Sequence, residues 1–130
     1  MVRSRLALLA RRALLGLSLT LVAVVGAAPS VVADEGDVEV HLFWLRTCPH
    51  CATAREFLDD LAEEVPELVV HEHEVSSDPA AQQLWVQMVA ERGGEVGAVP
   101  TIILGPDMWV GFGDSTARAV EAAVRAAAGP

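Results

Sequence analysis

Hydrophobic and polar positions divide most of the chain into short segments of distinct period. Val38 to Leu45 (VEVHLFWL) alternates at first and then becomes continuously apolar, as a strand does when its end is buried on both faces. A Cys-Pro-His-Cys turn follows. Phe57, Leu58, Leu61, Ala62 and Val65 then recur at helical spacing among acidic residues, until Pro66 stops the run. Leu68 to Val75 (LVVHEHEV) reads as a second strand, half exposed. Ser76-Ser77-Asp78-Pro79 is a helix start, with Asp78 as N-cap and Pro79 as the first helical residue. Leu84, Trp85, Met88 and Val89 give that helix its buried stripe, and Gly93-Gly94 end it. Thr101 to Leu104 is a third strand, Gly105-Pro106-Asp107 a turn and Met108 to Phe112 a fourth strand, together a hairpin. Asp114 or Ser115 caps a final alanine-rich helix with Val120 and Val124 on one face.

The order is therefore β-α-β-α-β-β-α. Strand–helix–strand units favour a parallel pair with a right-handed crossover, and the late hairpin adds antiparallel strands. The pattern predicts an α/β fold, a four-stranded mixed sheet flanked by helices.

Residues 13–27 do not fit this scheme. They form one uncharged run preceded by Arg3, Arg5, Arg11 and Arg12, the layout of an export signal. Small residues Val31 and Ala33 place the cut after Ala33; a cut after Ala28 would leave Pro29 immediately downstream. The competing reading is a retained anchor over residues 13–33, but the run falls short of the roughly 20 apolar residues that span a bilayer. Arg11-Arg12 also fits a twin-arginine export route. The expectation is an exported protein, periplasmic or otherwise extracytoplasmic, with a domain over residues 34–130.

Export changes the charge balance. Of nine basic residues, all arginine, four precede Ala33, whereas all 18 acidic residues follow it. Such a surface repels nucleic acid and anionic lipid, which excludes a phosphate-backbone binder. At 130 residues and 52% apolar the chain is long enough for one domain and too apolar for disorder.

Cys48 and Cys51 are the only cysteines, and they sit where a buried strand hands over to a helix. An exported protein can carry a purely stabilising disulfide, but this loop closes only four residues and contributes about 2 kcal/mol in the chain-entropy model. As a reactive pair it is well built, since the second thiol is always within reach of the first. A thiolate at a helix N-terminus is stabilised by the helix dipole and by unpaired backbone N–H groups. Cys48 occupies that position, Pro49 is well tolerated as the next residue, and His50 and Arg46 bring positive charge or donors nearby. Stabilising the thiolate makes the disulfide easier to reduce and so a better oxidant. Cys48 is then the attacking sulfur and Cys51, one turn into the helix, the sheltered resolving one.

Thr47-Cys48-Pro49-His50-Cys51 after an apolar strand, with Val99-Pro100-Thr101 some fifty residues later, resembles the thioredoxin superfamily across residues 38–128. The Pro49-His50 dipeptide is similar to that of bacterial periplasmic oxidants of the DsbA type. In size and element order the chain is closer to glutaredoxin, lacking the helical insertion of the former and the extra N-terminal elements of thioredoxin. The resemblance implies a thioredoxin-like fold, a redox-active Cys48–Cys51 disulfide and no further cofactor. It also implies that Pro100 follows a cis bond and faces the disulfide, and that Val99, Pro100 and Thr101 bind the substrate chain. Gly111-Phe112-Gly113-Asp114 is similar to the glycine pair and aspartate with which glutaredoxins hold glutathione. Here Phe112 separates the glycines, which leaves glutathione use open.

His41, His71 and His73 lie on strands expected to be neighbours, and three imidazoles can hold copper or zinc. Placed among Glu72 and Glu74, they read more simply as solvated residues, so no metal site is expected. A zinc site at Cys48 and Cys51 lacks the usual further ligands. Phe43, Trp44 and Trp85 read as core, and the acidic run Glu56–Glu67 as the wet face of a helix. The sequence thus predicts an exported thiol–disulfide oxidoreductase that oxidises protein thiols, with a membrane partner resetting its redox state. Its rivals are a membrane-fed reductase in cytochrome or copper-site maturation and a non-catalytic metal carrier.

Overall fold

A computed structural model describes residues 36–130. The segment read as an export signal, residues 1–33, lies outside the described residues. Strand β1 (Val38–Trp44) leads through a short turn into helix α1 (Pro49–Glu64), then β2 (Leu68–Glu74), α2 (Pro79–Glu91), β3 (Thr101–Leu104), β4 (Asp107–Val110) and α3 (Asp114–Ala128). The strands lie in the order β2-β1-β3-β4. β1 pairs in parallel with β2, and β3 runs antiparallel to both β1 and β4. The β-α-β-α-β-β-α order and the mixed sheet expected from the sequence are both present.

Alternation along β1 decides how the sheet is covered. Val38, Val40 and Leu42 join Ile102 and Leu104 of β3 on one face, where Ala54, Leu58 and Leu61 of α1 and Val120 and Val124 of α3 close over them. Phe43 and Ile103 belong to the other face and pack with Ala81 and Val89 of α2. Every residue of β3 is buried, because helices cover both of its faces; β1 keeps Glu39 exposed and His41 half-buried near its start.

Helix ends follow local chemistry. Pro66 follows the C-cap Val65, whose N–H still reaches the Leu61 carbonyl at 2.9 Å. Asp78 caps α2, its Oδ1 accepting the Ala80 N–H at 2.9 Å, with Pro79 as the first helical residue. Several boundaries differ from the sequence reading: β1 stops at Trp44 and β2 at Glu74, each one residue early. Gly113, not Asp114 or Ser115, is the N-cap of α3, and Asp114 instead lies in the first turn, where its charge favours the helix dipole. β4 begins at Asp107 and stops at Val110, because Gly111 at φ +83° leaves the extended region. Among the described residues no helix is long and apolar enough to cross a membrane.

Candidate active site

The turn between β1 and α1 carries the cysteines. Burial of Leu42 and Phe43 fixes the end of β1, and the Cys48 N–H donates to the Leu45 carbonyl at 3.1 Å, turning the chain into α1. Cys48 is the N-cap residue and Pro49 the first residue of the helix. Pro49 has no N–H to leave unsatisfied there.

Cys48 and Cys51 form a disulfide with Cα atoms 5.2 Å apart, within the ordinary range. The two sulfurs are not equivalent. Cys51 is fully buried, whereas Cys48 is partly exposed. Cys48 Sγ also accepts the backbone N–H of Cys51 at 3.2 Å, one of the orphan donors of the first helical turn. A helix N-terminus stabilises an adjacent negative charge, which favours the thiolate of a reduced Cys48 over its thiol. Positive charge from a protonated His50, exposed in the same turn, would add to this.

Arg46 points elsewhere. Its guanidinium lies 3.7 Å from Glu74 and donates to Ser77 Oγ at 3.3 Å, so its charge is countered by a carboxylate. This corrects the expectation that Arg46 helps the thiolate. Sequence reasoning also passed over Glu74 itself. The hydroxyls of Ser76 and Ser77, and then their backbone N–H groups, donate to its carboxylate and hold its pKa down to about 2.

The third element of the site is the segment before β3. The Val99–Pro100 bond is cis, the geometry the resemblance implies, and Cys48 Sγ lies 4.0 Å from the Val99 carbonyl oxygen. Gly111 donates its N–H to the Pro100 carbonyl at 2.8 Å, which ties the end of β4 to this loop. Thr101, grouped with Val99 and Pro100 as substrate-binding, is 1% exposed and donates its hydroxyl to the Ala98 carbonyl at 2.8 Å. Its side chain is thus turned into the fold and shapes the loop from behind. Phe112 lies half-buried against Phe57, ring centroids 5.3 Å apart, so it fills space between α1 and the start of α3.

An apolar groove of about 470 Å³ opens beside Val99, walled by Leu45, Val75, Trp85, Val86 and Val96. Val86 and Val96 are exposed. The sequence pattern assigned Trp85 to the core; it is half-buried and forms one wall. Phe43 is fully buried, as expected. Trp44 packs against the core on the α1 side, with the Arg55 guanidinium 4.2 Å over its ring.

The three strand histidines lie on the sheet and not in this turn, His41 and His71 paired midway along β1 and β2 and His73 level with Phe43. His41 is opposite His71 in the register, and its Nδ1 lies 3.0 Å from His73 Nε2. They are half-buried and not the fully solvated residues expected. Burial, then the neighbouring imidazoles, push His41 and His73 below the usual histidine value, partly opposed by Glu39 and Asp78 respectively.

Comparison with known proteins agrees with this geometry. The family model described as Glutaredoxin matches residues 40–109. The thioredoxin of Fasciola hepatica superposes with a TM-score of 0.51 at 20% identity, covering 69% of this chain and 83% of that one. The glutaredoxin of Archaeoglobus fulgidus gives 0.48 at 21% identity, covering 65% and 87%. No curated protein matches the sequence. The thioredoxin-like fold is shared with the Fasciola hepatica thioredoxin, and the family match takes in most of β1, the Cys48–Cys51 turn, the cis-Pro100 loop and most of β4. The chain belongs to the glutaredoxin family, and it is a thiol–disulfide oxidoreductase of the thioredoxin/glutaredoxin type.

Proposed function

We propose that this protein is an exported oxidant of protein dithiols, with Cys48 as the exchanging sulfur and Cys51 as its resolving partner. The observation that carries the proposal is the Cys48 sulfur at the N-cap of α1, partly exposed and accepting the Cys51 N–H. Each feature favours a thiolate on Cys48, and a stabilised thiolate is the reduced state that makes a disulfide a good electron acceptor. The basic, then apolar N-terminal segment supports export, and an oxidising compartment suits the chemistry.

In the oxidising direction a substrate thiolate attacks Cys48 Sγ. The Cys48–Cys51 bond breaks, its electron pair leaves on Cys51, and a mixed disulfide joins the substrate to Cys48. A second substrate thiolate then attacks the substrate sulfur of that bond, and Cys48 departs as the thiolate. The substrate gains a disulfide, and the two electrons reside on the Cys48/Cys51 dithiol. In the reverse direction Cys51 resolves the mixed disulfide. Val99 and Pro100 would hold the substrate backbone beside Cys48, with an apolar substrate side chain in the groove against Trp85 and Val86. Protein thiols are thus the substrates, and a membrane redox partner would reoxidise the pair.

Equilibrating the pair against glutathione buffers tests the direction. A reduction potential near −120 mV supports an oxidant, whereas one near −270 mV, as in thioredoxin, overturns that direction in favour of a reductase.

A further inference from the structure

The face of the sheet near the start of β1 carries a second group of chemically capable side chains. Glu39 and His41 are two residues apart on β1, and His71 is the register partner of His41 on β2. Side chains two apart on a strand share a face, and here one ligand atom from each of Glu39, His41 and His71 lies within 4.8 Å of the others. His71 Nε2 is buried with no hydrogen-bond partner, and the nearest carboxylate oxygen of Glu39, at 3.6 Å, is beyond hydrogen-bond reach. A buried imidazole nitrogen with nothing to bond is costly to leave so, and a cation between it and the carboxylate would satisfy both.

We infer that Glu39, His41 and His71 form a binding site for a borderline divalent transition-metal cation, zinc(II) or copper(II). Two imidazoles and one carboxylate suit such ions and leave a further coordination position open. His73 completes the arrangement. With the proton of His41 on Nδ1, that nitrogen donates to His73 Nε2 at 3.0 Å, and Nε2 of His41 keeps its lone pair for the metal. Ligating histidines commonly have their second nitrogen fixed in this way. Glu39 is exposed, so an ion reaches the site from solvent and bridges β1 to β2. The site is separate from the Cys48–Cys51 chemistry, since its ligands come from the first half and middle of β1 and the middle of β2 and none from the Cys48–Cys51 turn.

The test is calorimetric titration of the full chain, its disulfide intact so that no thiolate competes, with zinc chloride and separately with copper(II) chloride. One equivalent of each cation is expected to bind, copper(II) more tightly. His71→Gln and Glu39→Gln, both at positions with solvent-exposed surface, should each weaken binding by at least about tenfold. Copper(II) bound to the unsubstituted chain should show superhyperfine coupling to more than one imidazole nitrogen. Absence of stoichiometric binding, unchanged affinity in His71→Gln, or a copper spectrum with fewer than two nitrogens would each overturn the inference. Thiol–disulfide exchange by His71→Gln should equal that of the unsubstituted protein, so loss of the metal site and loss of the redox function are read separately.

Discussion

Single side chains decide where charge settles around the active turn. Glu74 gathers four donors from Ser76 and Ser77 and also faces Arg46. Its pKa is lowered from 4.5 to about 2, so the unfolded chain takes up this proton before the folded one does. The stabilisation is therefore fully present above about pH 4.5 and disappears as the pH falls through 2. Glu74→Gln should lower the urea midpoint at pH 6, and the gap to the parent should close between pH 4 and pH 2. A gap independent of pH would show that the carboxylate charge contributes nothing. Such residue-scale assignments were the hardest to read in advance. Cys48, Pro49, His50 and Cys51 are contiguous, so spacing alone placed them together. Glu74, Arg46 and Ser77 meet only after β2 pairs with β1, and Thr101 turns inward only because all four positions of β3 are covered. Neither fact has a local signature.

Elements were more legible, since period and punctuation act locally. Asp78-Pro79 opened α2 and Pro66 followed α1 as expected. The limits of β4 were missed at both ends, because a strand pattern does not reveal a positive φ at Gly111. The His41–His71–His73 group was visible as three residues on two strands, but their mutual distances depend on the parallel register of β1 and β2. What holds α1, and hence the N-terminus facing Cys48, is its apolar stripe. Leu58 is fully buried between α1 and the sheet. Leu58→Ala should cost roughly 2–5 kcal/mol in denaturant unfolding, while the rate of disulfide exchange per folded molecule stays near that of the parent. A loss of exchange rate in the folded fraction would mean that α1 shifts along the sheet when the stripe is cut.

At the scale of the molecule, acidity dominates. Nine arginines face 18 carboxylates, a formal net charge of −9, so the field favours encounter with cationic partners. Model dithiol peptides flanked by lysines should exchange faster than glutamate-flanked ones at low salt. The difference should shrink toward 1 M salt, where the Debye length is about 3 Å. Equal rates at low salt would contradict long-range steering.

All of the proposed chemistry depends on the ionisation of Cys48 in the reduced protein, which the rate of iodoacetamide alkylation across a pH series reports directly. An N-cap thiolate predicts a titration midpoint clearly below the roughly 8.5 of a free cysteine, with Cys51 protected from reagent. A midpoint at the free-cysteine value, or modification of Cys51 ahead of Cys48, would contradict it.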